Sequence, residues 1–274
     1  MSCQPIKWHG GKGAYRGKLA RWIISLMPSH VHYVEPYFGG GAVLFNKNPE
    51  GVSEVINDIN GQLMNFWRVL ASESLYTKFA KQASITPFAE QHWRASKREP
   101  GRLAPNGDWR AALRFFVCYR QSRQGLGKDF ATMSRNRTRR GMNEQVSSWL
   151  TAVEGLPEAH NRLKRVVVQD RDALAVIREQ DGKSTCFYLD PPYLHETRAT
   201  TKDYTYEMTN DQHKTLLKTL KSLEGKFLLS GYRSQLYDSA ANKYGWNRHE
   251  FQIANNASSK ATKDRKTECV WTNF

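Results

Sequence analysis

The sequence has no long apolar run, and no stretch approaches the roughly 18 consecutive apolar residues that a membrane-spanning helix needs. The first residues, MSCQPIKWHGGKG, contain neither an apolar segment nor a small-residue cleavage site, so they do not resemble a secretory signal. Internal repeats and low-complexity segments are also absent from the sequence. We therefore expect a cytoplasmic protein without a membrane segment.

Cysteine is scarce and scattered. Cys3, Cys118, Cys186 and Cys269 include no Cys-x-x-Cys pair, and no histidine stands near them at zinc spacing. This distribution argues against a structural zinc site and against a disulfide framework. It is typical of reduced cysteines in a cytoplasmic protein.

Acidic residues are outnumbered by basic ones, with 26 Asp and Glu against 41 Lys and Arg and a formal net charge of +15. Residues 94–141 contain 13 Lys and Arg against 3 Asp and Glu, so this segment carries +10 of the excess. Such an excess favours a polyanionic partner, either a nucleic acid or an anionic membrane surface. The alternative is a solvated basic surface, but such surfaces usually mix charges of both signs.

The 274 residues alternate between predicted strands and predicted helices. This alternation, with a glycine-rich turn after the first strand, is typical of a nucleotide-binding parallel sheet. We expect an α/β domain from residues 1–72 and 142–274, with residues 73–141 inserted as a second domain. The predicted helices span residues 18–27, 42–46, 62–70, 109–119, 144–153, 173–179 and 209–223, and the predicted strands span residues 32–35, 52–56, 166–168, 185–189, 227–230 and 269–271.

Four short motifs stand out, three of them at the ends of predicted strands, where parallel sheets bind ligands. Each has a simpler explanation when taken alone: an Asp-Pro turn, a glycine turn, a helix N-cap or a flexible amino terminus. The motifs are Asp190-Pro191-Pro192-Tyr193, Glu35-Pro36-Tyr37-Phe38-Gly39-Gly40-Gly41, Asn57-Asp58-Ile59-Asn60 and Lys7-Trp8-His9-Gly10-Gly11-Lys12.

In order and spacing, these motifs resemble those of the DNA adenine methylases of the Asp-Pro-Pro-Tyr signature, the alpha-group or D12 class. The resemblance covers residues 6–60 and 166–232. It implies a Rossmann-like class I methyltransferase sheet with an inserted, mainly helical, basic DNA-recognition domain. It also implies methyl transfer from S-adenosylmethionine to N6 of adenine in double-stranded DNA. Residues 85–145 show no recognition hairpin of the kind expected in the family, so the target sequence cannot be carried over.

The resemblance assigns catalysis to Asp190, Pro191, Pro192 and Tyr193. A carboxylate and a backbone carbonyl that accept from both N–H groups of the adenine would localise the nitrogen lone pair towards the methyl donor. Two prolines fix the turn and add no N–H donor, and an aromatic ring can stack on a base swung out of the duplex. No metal is expected, because the donor brings its own leaving group.

The resemblance also defines a donor site. Asp58 would bind the ribose hydroxyls, Lys12 would pair with the methionine carboxylate, and the glycine turn would let the backbone approach the ligand. A helix N-cap is the alternative for Asp58 and, equally, for Asp172. The predicted donor-binding residues are Trp8, Lys12, Pro36, Phe38, Gly39, Gly41, Asp58, Asp172 and Asp190.

We expect the basic segment to bind double-stranded DNA, and no obligate protein partner is evident. One alternative is methylation of cytosine N4, but such enzymes more often have Ser at the position of Asp190, so adenine is favoured. Another is an inactive DNA-binding protein on the same fold, against which the intact Asp58 and Asp190 argue. The candidate DNA contacts are Arg123, Lys128, Arg135, Arg137, Arg139 and Arg140.

Overall fold

The structure is a computed structural model, and it describes residues 4–8, 10–98, 103–131, 136–197, 206–254 and 265–274. The candidate DNA contact Arg135 lies outside these residues. The chain divides into two compact units: the first comprises Met1–Arg21, Gly39–Asn48 and Asn60–Asp170, and the second comprises Trp22–Phe38, Pro49–Ile59 and Arg171–Phe274. The predicted boundaries of an inserted domain, residues 73–141, stay a prediction.

The described residues form α-helices and β-strands in an alternating order, with short 3-10 helices at Leu44–Asn46, Arg123–Gly125 and His195–Thr197. None of these helices has the length and apolar character that a membrane span requires. The helices are α1 (Ala14–Ser25), α2 (Gly61–Ala71), α3 (Glu73–Ile85), α4 (Glu90–Ser96), α5 (Trp109–Arg120), α6 (Glu144–Glu154), α7 (Leu156–Leu163), α8 (Ala173–Glu179), α9 (Asn210–Lys221) and α10 (Gln235–Tyr244). The strands are β1 (His32–Glu35), β2 (Ser53–Asn57), β3 (Thr138–Arg139), β4 (Met142–Asn143), β5 (Val166–Gln169), β6 (Thr185–Leu189), β7 (Lys226–Gly231), β8 (Asn247–Ala254) and β9 (Arg265–Thr272).

The second unit is built on a mostly parallel sheet. The sheet has seven strands, and the six that belong to this unit lie in the order β2-β1-β6-β7-β9-β8. Strands β2, β1, β6 and β7 are parallel, and β9 and β8 complete the sheet in antiparallel pairs. The strand order reverses direction at β1, which is where open α/β sheets bind ligands. The predicted α/β fold class is confirmed.

Apolar side chains on both faces of the central strands explain why the sheet forms. Every residue of β6 is buried, as expected for a parallel strand covered on both faces. Helix α9 packs Leu216, Leu217 and Leu220 into the same core as Phe187. This helix begins at a capping box, in which the Thr209 and Gln212 side chains satisfy each other's backbone N–H groups.

The first unit has a core of aromatic side chains from its helices. Phe66 of α2 stacks on Phe116 of α5 with ring centres 5.9 Å apart, and Phe79 of α3 meets Phe116 edge-on. At the start of α5, the Asn65 amide donates to the carbonyl of Asp108 and accepts from its N–H. These contacts fix α2 and α5, which the sequence pattern predicted, and α3, which it did not.

Several predicted elements were wrong or missing. The predicted helix over residues 42–46 is only the 3-10 turn Leu44–Asn46, and α3, α4, α7, α10 and β8 were not predicted. Residues 85–145 also contain a hairpin that the sequence did not reveal, formed by β3 and β4. Its turn places Arg140 at φ 55° and Gly141 at φ 72°, so a non-glycine residue occupies a position where Asn or Gly is the usual signal.

Candidate functional site

The motifs of the second unit meet at one edge of its sheet. Because β2, β1, β6 and β7 are parallel and in register, with Glu35 opposite Ile56 and Leu189 opposite Leu229, their carboxyl ends lie side by side. Three of these strands lead directly into predicted site segments, which are Pro36–Phe38 after β1, Asp58 after β2 and Asp190–Tyr193 after β6. Strand β7 leads to Tyr232, which was not predicted as a site residue.

Asn57, the last residue of β2, is hydrogen-bonded to the loop after β1 and to the loop before α8 at this edge. Its side chain is fully buried, and its Nδ2 donates to the carbonyls of Pro36 and Arg171, each at 3.0 Å. Its Oδ1 accepts from the N–H of Arg171 at 2.8 Å, and its carbonyl accepts from the N–H of Phe38 at 2.9 Å. The sequence analysis quoted Asn57 as part of a motif but gave it no role, although a buried amide at a strand end is a signal of such a tie.

Two carboxylates lie near the ring of Tyr37, which follows β1. Burial, and then the charges of Asp172 and Asp58, raise the pKa of Tyr37 well above its usual value. Since the charges act over short distances only, the loops that carry Asp58 and Asp172 both come close to Tyr37. The loops after β2 and before α8 therefore lie within electrostatic reach of Tyr37.

The N-cap alternative has a different outcome for the two aspartates. Asp172 does cap α8, because its Oδ1 accepts from the N–H of Ala175 at 2.9 Å. Asp58 does not cap α2, because the capping side chain there is Asn60, which accepts from the N–H of Leu63 at 3.1 Å. A capping role therefore does not explain the carboxylate of Asp58.

The Asp190–Tyr193 turn follows the fully buried β6, and its Asp190 is half-buried. Tyr237, on α10, lies within electrostatic reach of this turn: burial, and then the charges of Tyr37 and Asp190, raise the pKa of Tyr237 well above its usual value. The Tyr237 hydroxyl also contacts Nδ1 of His213 at 2.9 Å. Tyr237 thus connects the β1 loop with the predicted catalytic turn.

Tyr193 itself is buried, with 7% of its surface exposed. Its hydroxyl donates a short hydrogen bond to the carboxylate of Glu268 on β9, and its ring meets the ring of Tyr232 edge-on, with centres 4.8 Å apart. The hydroxyl of Tyr193 is therefore turned into the protein. Sequence analysis did not single out Glu268.

In the first unit, the amino-terminal motif packs on the glycine turn. Trp8 stacks obliquely on Tyr119, with ring centres 5.2 Å apart. Gly39 has φ 50°, and a Cβ at this position would lie 2.9 Å from Nε1 of Trp8. Gly41 also has positive φ, at 69°, and Lys12 is 5% exposed with its Nζ 3.3 Å from the carbonyl of Gly10. The absence of a side chain at Gly39 is thus required by Trp8, whatever the turn binds.

A cavity of about 550 Å³ opens beside this motif in the first unit. Burial, and then the charge of Arg120, lower the pKa of Lys7 to about 8. The turn at Gly125, where a Cβ would lie 2.6 Å from Cβ of Lys7, presses against the same lysine. The polar lining comprises Gln4, Lys7, Arg120, Ser122, Arg123, Gln124 and Gln145, and Arg123 among them was a predicted DNA contact.

The candidate DNA contacts that the structure describes are all exposed side chains. Arg139 lies on β3 and Arg137 just before it. The shortest nitrogen–oxygen distance between Arg137 and Glu144 is 3.8 Å, near the outer limit of an ion pair. Arg140 is different, because both of its terminal nitrogens donate to the carboxylate of Glu154, at 2.9 and 2.8 Å. Within the described ranges, no three His, Cys, Asp or Glu side chains are grouped to hold a metal ion.

Residues 8–255 match the family model described as D12 class N6 adenine-specific DNA methyltransferase. The chain belongs to this family. Its function as an adenine-specific DNA methyltransferase, predicted from the four motifs, is confirmed by this match. The match does not support the alternatives of cytosine N4 methylation and of an inactive fold.

The methyltransferase is similar to three characterised relatives at modest identity. The Type II methyltransferase M1.LlaDCHI of Lactococcus lactis subsp. cremoris is 28% identical, over 98% of this chain and 94% of the relative. The Type II methyltransferase M.CviBI of Paramecium bursaria Chlorella virus NC1A is 23% identical, over 85% of each chain. The DNA N-6-adenine-methyltransferase of Escherichia phage P1 is 25% identical, over 78% of this chain but 27% of the relative.

For this adenine methyltransferase, DNA is the substrate and a methyl donor is required. The individual residue roles predicted from the sequence stay predictions. The structure brings Pro36, Phe38, Asp58, Asp172 and Asp190–Tyr193 together within the second unit, and Trp8 with Gly39 within the first. Asn57, Glu268 and the polar residues around Lys7 are additions that the sequence alone did not supply.

Proposed function

We propose that this methyltransferase transfers the methyl group of S-adenosylmethionine to N6 of an adenine within a specific sequence of double-stranded DNA. The observation that carries the proposal is the convergence of Asp58, Asp172 and Asp190 at the carboxyl edge of the second unit's sheet. Tyr37 lies in reach of the first two carboxylates and Tyr237 in reach of the third. Such an edge is where open α/β sheets bind their ligands.

The residues at this edge fit the proposed donor. Asp58 follows β2 without capping a helix, so its carboxylate suits the two ribose hydroxyls. Pro36 and Phe38 are buried in the β1 loop beside it, and Asp172 stands on the neighbouring loop, tied there by Asn57. S-adenosylmethionine supplies a methyl group on a sulfonium, which is electrophilic without help from a metal.

In the first unit, four residues keep the donor-binding roles that the family motifs assign. Lys12 is a buried cation that suits a carboxylate, and Trp8 offers an indole ring held by Tyr119. Gly39 and Gly41 supply backbone at positive φ that other residues rarely adopt. These roles rest on the motifs and on the local geometry of the first unit alone.

Asp190 and the turn after it would act on the adenine. The Asp190 carboxylate and a backbone carbonyl at Pro191 accept from the two N–H groups of the amino nitrogen, which draws its lone pair out of the ring system. Pro192 contributes no N–H donor and keeps the turn rigid. Because the Tyr193 hydroxyl is bonded to Glu268, the face of the ring receives the base.

Residues 73–141 would recognise the DNA. Exposed Arg123, Lys128, Arg137 and Arg139 neutralise phosphates or read base edges, and we keep Arg135 in the same role. Arg140 contributes less, because DNA would have to compete with its ion pair to Glu154. The cavity around Lys7 has the donor-rich lining that suits an acceptor-rich surface such as a base edge.

The test is to incubate the purified protein with tritium-labelled S-adenosylmethionine and unmethylated genomic DNA, then to separate the nucleosides. We expect the label in N6-methyladenine, with duplex DNA a better substrate than RNA. Single-molecule sequencing of the product then gives the recognised sequence. Label in N4-methylcytosine, or no label above a protein-free control, would overturn the proposal.

A further inference from the structure

Glu268 is a buried carboxylate at the edge of the sheet where the predicted catalytic turn lies. It is 2% exposed and lies on β9, next to Cys269, which pairs with Gly231 at the end of β7. Tyr232 directly follows β7, so Glu268 lies at the edge of the sheet where the parallel strands end. A buried carboxylate is costly unless it is hydrogen-bonded.

The partner of Glu268 is the tyrosine of the Asp-Pro-Pro-Tyr motif. The Tyr193 hydroxyl donates to Oε1 of Glu268. Burial, and then the charges of Asp190 and Glu268, hold the pKa of Tyr193 well above its usual value. The hydroxyl therefore stays protonated at neutral pH and remains a donor to the carboxylate, so the bond persists under working conditions.

A second contact fixes the same ring from another side. The Tyr232 ring meets the Tyr193 ring at an interplanar angle of 80°, with centres 4.8 Å apart. Such an edge-to-face contact restrains the tilt of the Tyr193 ring. The hydrogen bond from the Tyr193 hydroxyl to Glu268 restrains the far end of the same side chain. Together, Tyr232 and Glu268 define one orientation of Tyr193.

Stability alone does not account for this arrangement. Cys269 and Trp271, on the opposite face of β9, belong to the apolar core. An apolar side chain at position 268, packed against a phenylalanine at position 193, would fill the same space at lower electrostatic cost. Buried ionisable groups that are kept in spite of this cost cluster at functional sites. The electrostatic cost of burying the Glu268 carboxylate is explained if the orientation of Tyr193 matters for the reaction.

We infer that Glu268 is a positioning residue for methyl transfer, which holds the Tyr193 ring in the orientation that receives the target adenine. The inference rests on the proposed function, in which the face of this ring meets the base. A ring that is released from Glu268 can tilt, and the amino nitrogen then sits less often in line with the methyl donor. Small misplacements of this kind cost turnover more than affinity.

The test breaks the bond from both ends. Tyr193→Phe removes the hydroxyl and keeps the ring, Glu268→Leu removes the acceptor, and Glu268→Gln keeps an oxygen that can still accept. We expect Tyr193→Phe and Glu268→Leu each to lower kcat by roughly 10- to 100-fold, with Glu268→Gln in between. The KM for the donor should stay within about twofold, with kcat taken per folded molecule, because unfolded protein lowers the apparent kcat without changing KM.

A matched control comes from the neighbouring strand. Glu250 on β8 pairs with Cys269 and has a half-exposed carboxylate beside Arg248, so Glu250→Gln should leave kcat unchanged. If Glu268 acts only through Tyr193, the double variant Tyr193→Phe/Glu268→Leu should be no slower than either single variant. It also replaces a buried charge with an apolar pair, so it serves where Glu268→Leu alone does not fold.

The failure of this inference can be told from the failure of the proposed function. Tyr193→Ala, which removes the ring, must abolish methylation if the ring receives the base, and wild-type turnover in Tyr193→Ala would overturn the proposed role of Tyr193. If Tyr193→Ala is inactive but folded Tyr193→Phe or Glu268→Leu keeps kcat within about threefold of wild type, only the positioning role of Glu268 is overturned. Additive losses in the double variant would overturn it as well.

Discussion

Asn57 and Arg171 are joined by two hydrogen bonds that run in opposite directions. The Nδ2 of Asn57 donates to the Arg171 carbonyl at 3.0 Å, and its Oδ1 accepts from the Arg171 N–H at 2.8 Å. The same amide nitrogen also donates to the carbonyl of Pro36. The loop before α8, which carries Asp172, is thereby fixed against the loops after β1 and β2.

Asn57→Asp tests this tie, because it replaces the donating nitrogen with an oxygen and leaves the size unchanged. The buried carbonyl of Pro36 and the partly buried carbonyl of Arg171 would lose their donor, at a cost of up to about 1–3 kcal/mol each. We expect a lower free energy of unfolding in urea and weaker binding of S-adenosylhomocysteine in calorimetry. Asn247→Asp is the control, since Asn247 donates to one carbonyl at an exposed site. Wild-type stability and ligand affinity in Asn57→Asp would show that the tie has no consequence.

Asp58→Ala should weaken the binding of the donor without weakening the binding of DNA. If the carboxylate binds the ribose hydroxyls, its loss costs about 1.5–3 kcal/mol of binding free energy, which is roughly a 10- to 150-fold rise in Kd. Calorimetric titration with S-adenosylhomocysteine measures the rise. The cap of α2 should survive the substitution, because that cap is Asn60. An unchanged Kd would mean that Asp58 does not bind the donor.

Asp172 needs a different variant, since its side chain caps α8. Asp172→Ala removes both the cap and the carboxylate, and loss of the cap alone costs about 1 kcal/mol of stability. Asp172→Ser keeps a capping oxygen and removes the charge. We expect Asp172→Ser to retain the melting temperature and to bind S-adenosylhomocysteine more weakly than wild type. Full affinity in the serine variant would reduce Asp172 to a capping residue.

The pKa of Lys7 gives a prediction with a definite sign. It is about 8 in the folded protein against 10.5 in an unperturbed lysine, so below pH 8 the folded state holds a charge that it disfavours. This penalty is lost as pH rises from 8 to 10.5, because the folded state then gives up its proton first. At pH 7, Lys7→Met should therefore be more stable than wild type, by roughly 1–2 kcal/mol given its partial exposure.

Lys7→Arg is the matched control, because arginine keeps its charge over this whole range. Between pH 8 and pH 10, wild type should gain stability relative to both variants in urea unfolding. Parallel curves for wild type and Lys7→Arg across that interval would show that Lys7 does not titrate there.

Arg137 and Arg139 should contribute to DNA binding in proportion to the phosphates they contact. Replacing both with glutamine should reduce the slope of log affinity against log salt by about 0.9 for each lost contact. Arg140→Gln, in which the replaced arginine is already paired with Glu154, should change the slope less. Fluorescence anisotropy over a salt series measures both. Identical slopes in wild type and the double variant would mean that these arginines form a solvated surface.

The sequence predicted the site best where a motif follows an apolar strand. Strands β1, β2 and β6 are short, contain consecutive apolar or aromatic residues and are followed by turn residues, so the positions of Pro36, Asp58 and Asp190 could be read from local patterns. The residues that contact these segments could not be predicted, because the contacts depend on which strands are neighbours in the sheet. Asn57 and Arg171 are 114 residues apart, and Tyr193 and Glu268 are 75 residues apart.

Two of the helices that the sequence did not reveal bury few residues. Helix α10 buries only Tyr237 and Ala241, and α3 buries only Phe79 and Ala83, so neither has a strong apolar period. The β3–β4 hairpin was missed because its turn uses Arg140 at positive φ, without the Asn-Gly pair that usually marks such turns.

Asp190→Ala tests the central claim, that the carboxyl edge of the second unit's sheet carries the reaction. Loss of a positioned acceptor in the transition state is worth roughly 10²- to 10³-fold in rate, so single-turnover formation of N6-methyladenine should fall at least that far. Binding of S-adenosylhomocysteine should remain measurable, and Asp211→Ala, at an exposed position on α9, should react as wild type does. A folded Asp190→Ala protein that methylates adenine within a few-fold of the wild-type rate would contradict the account.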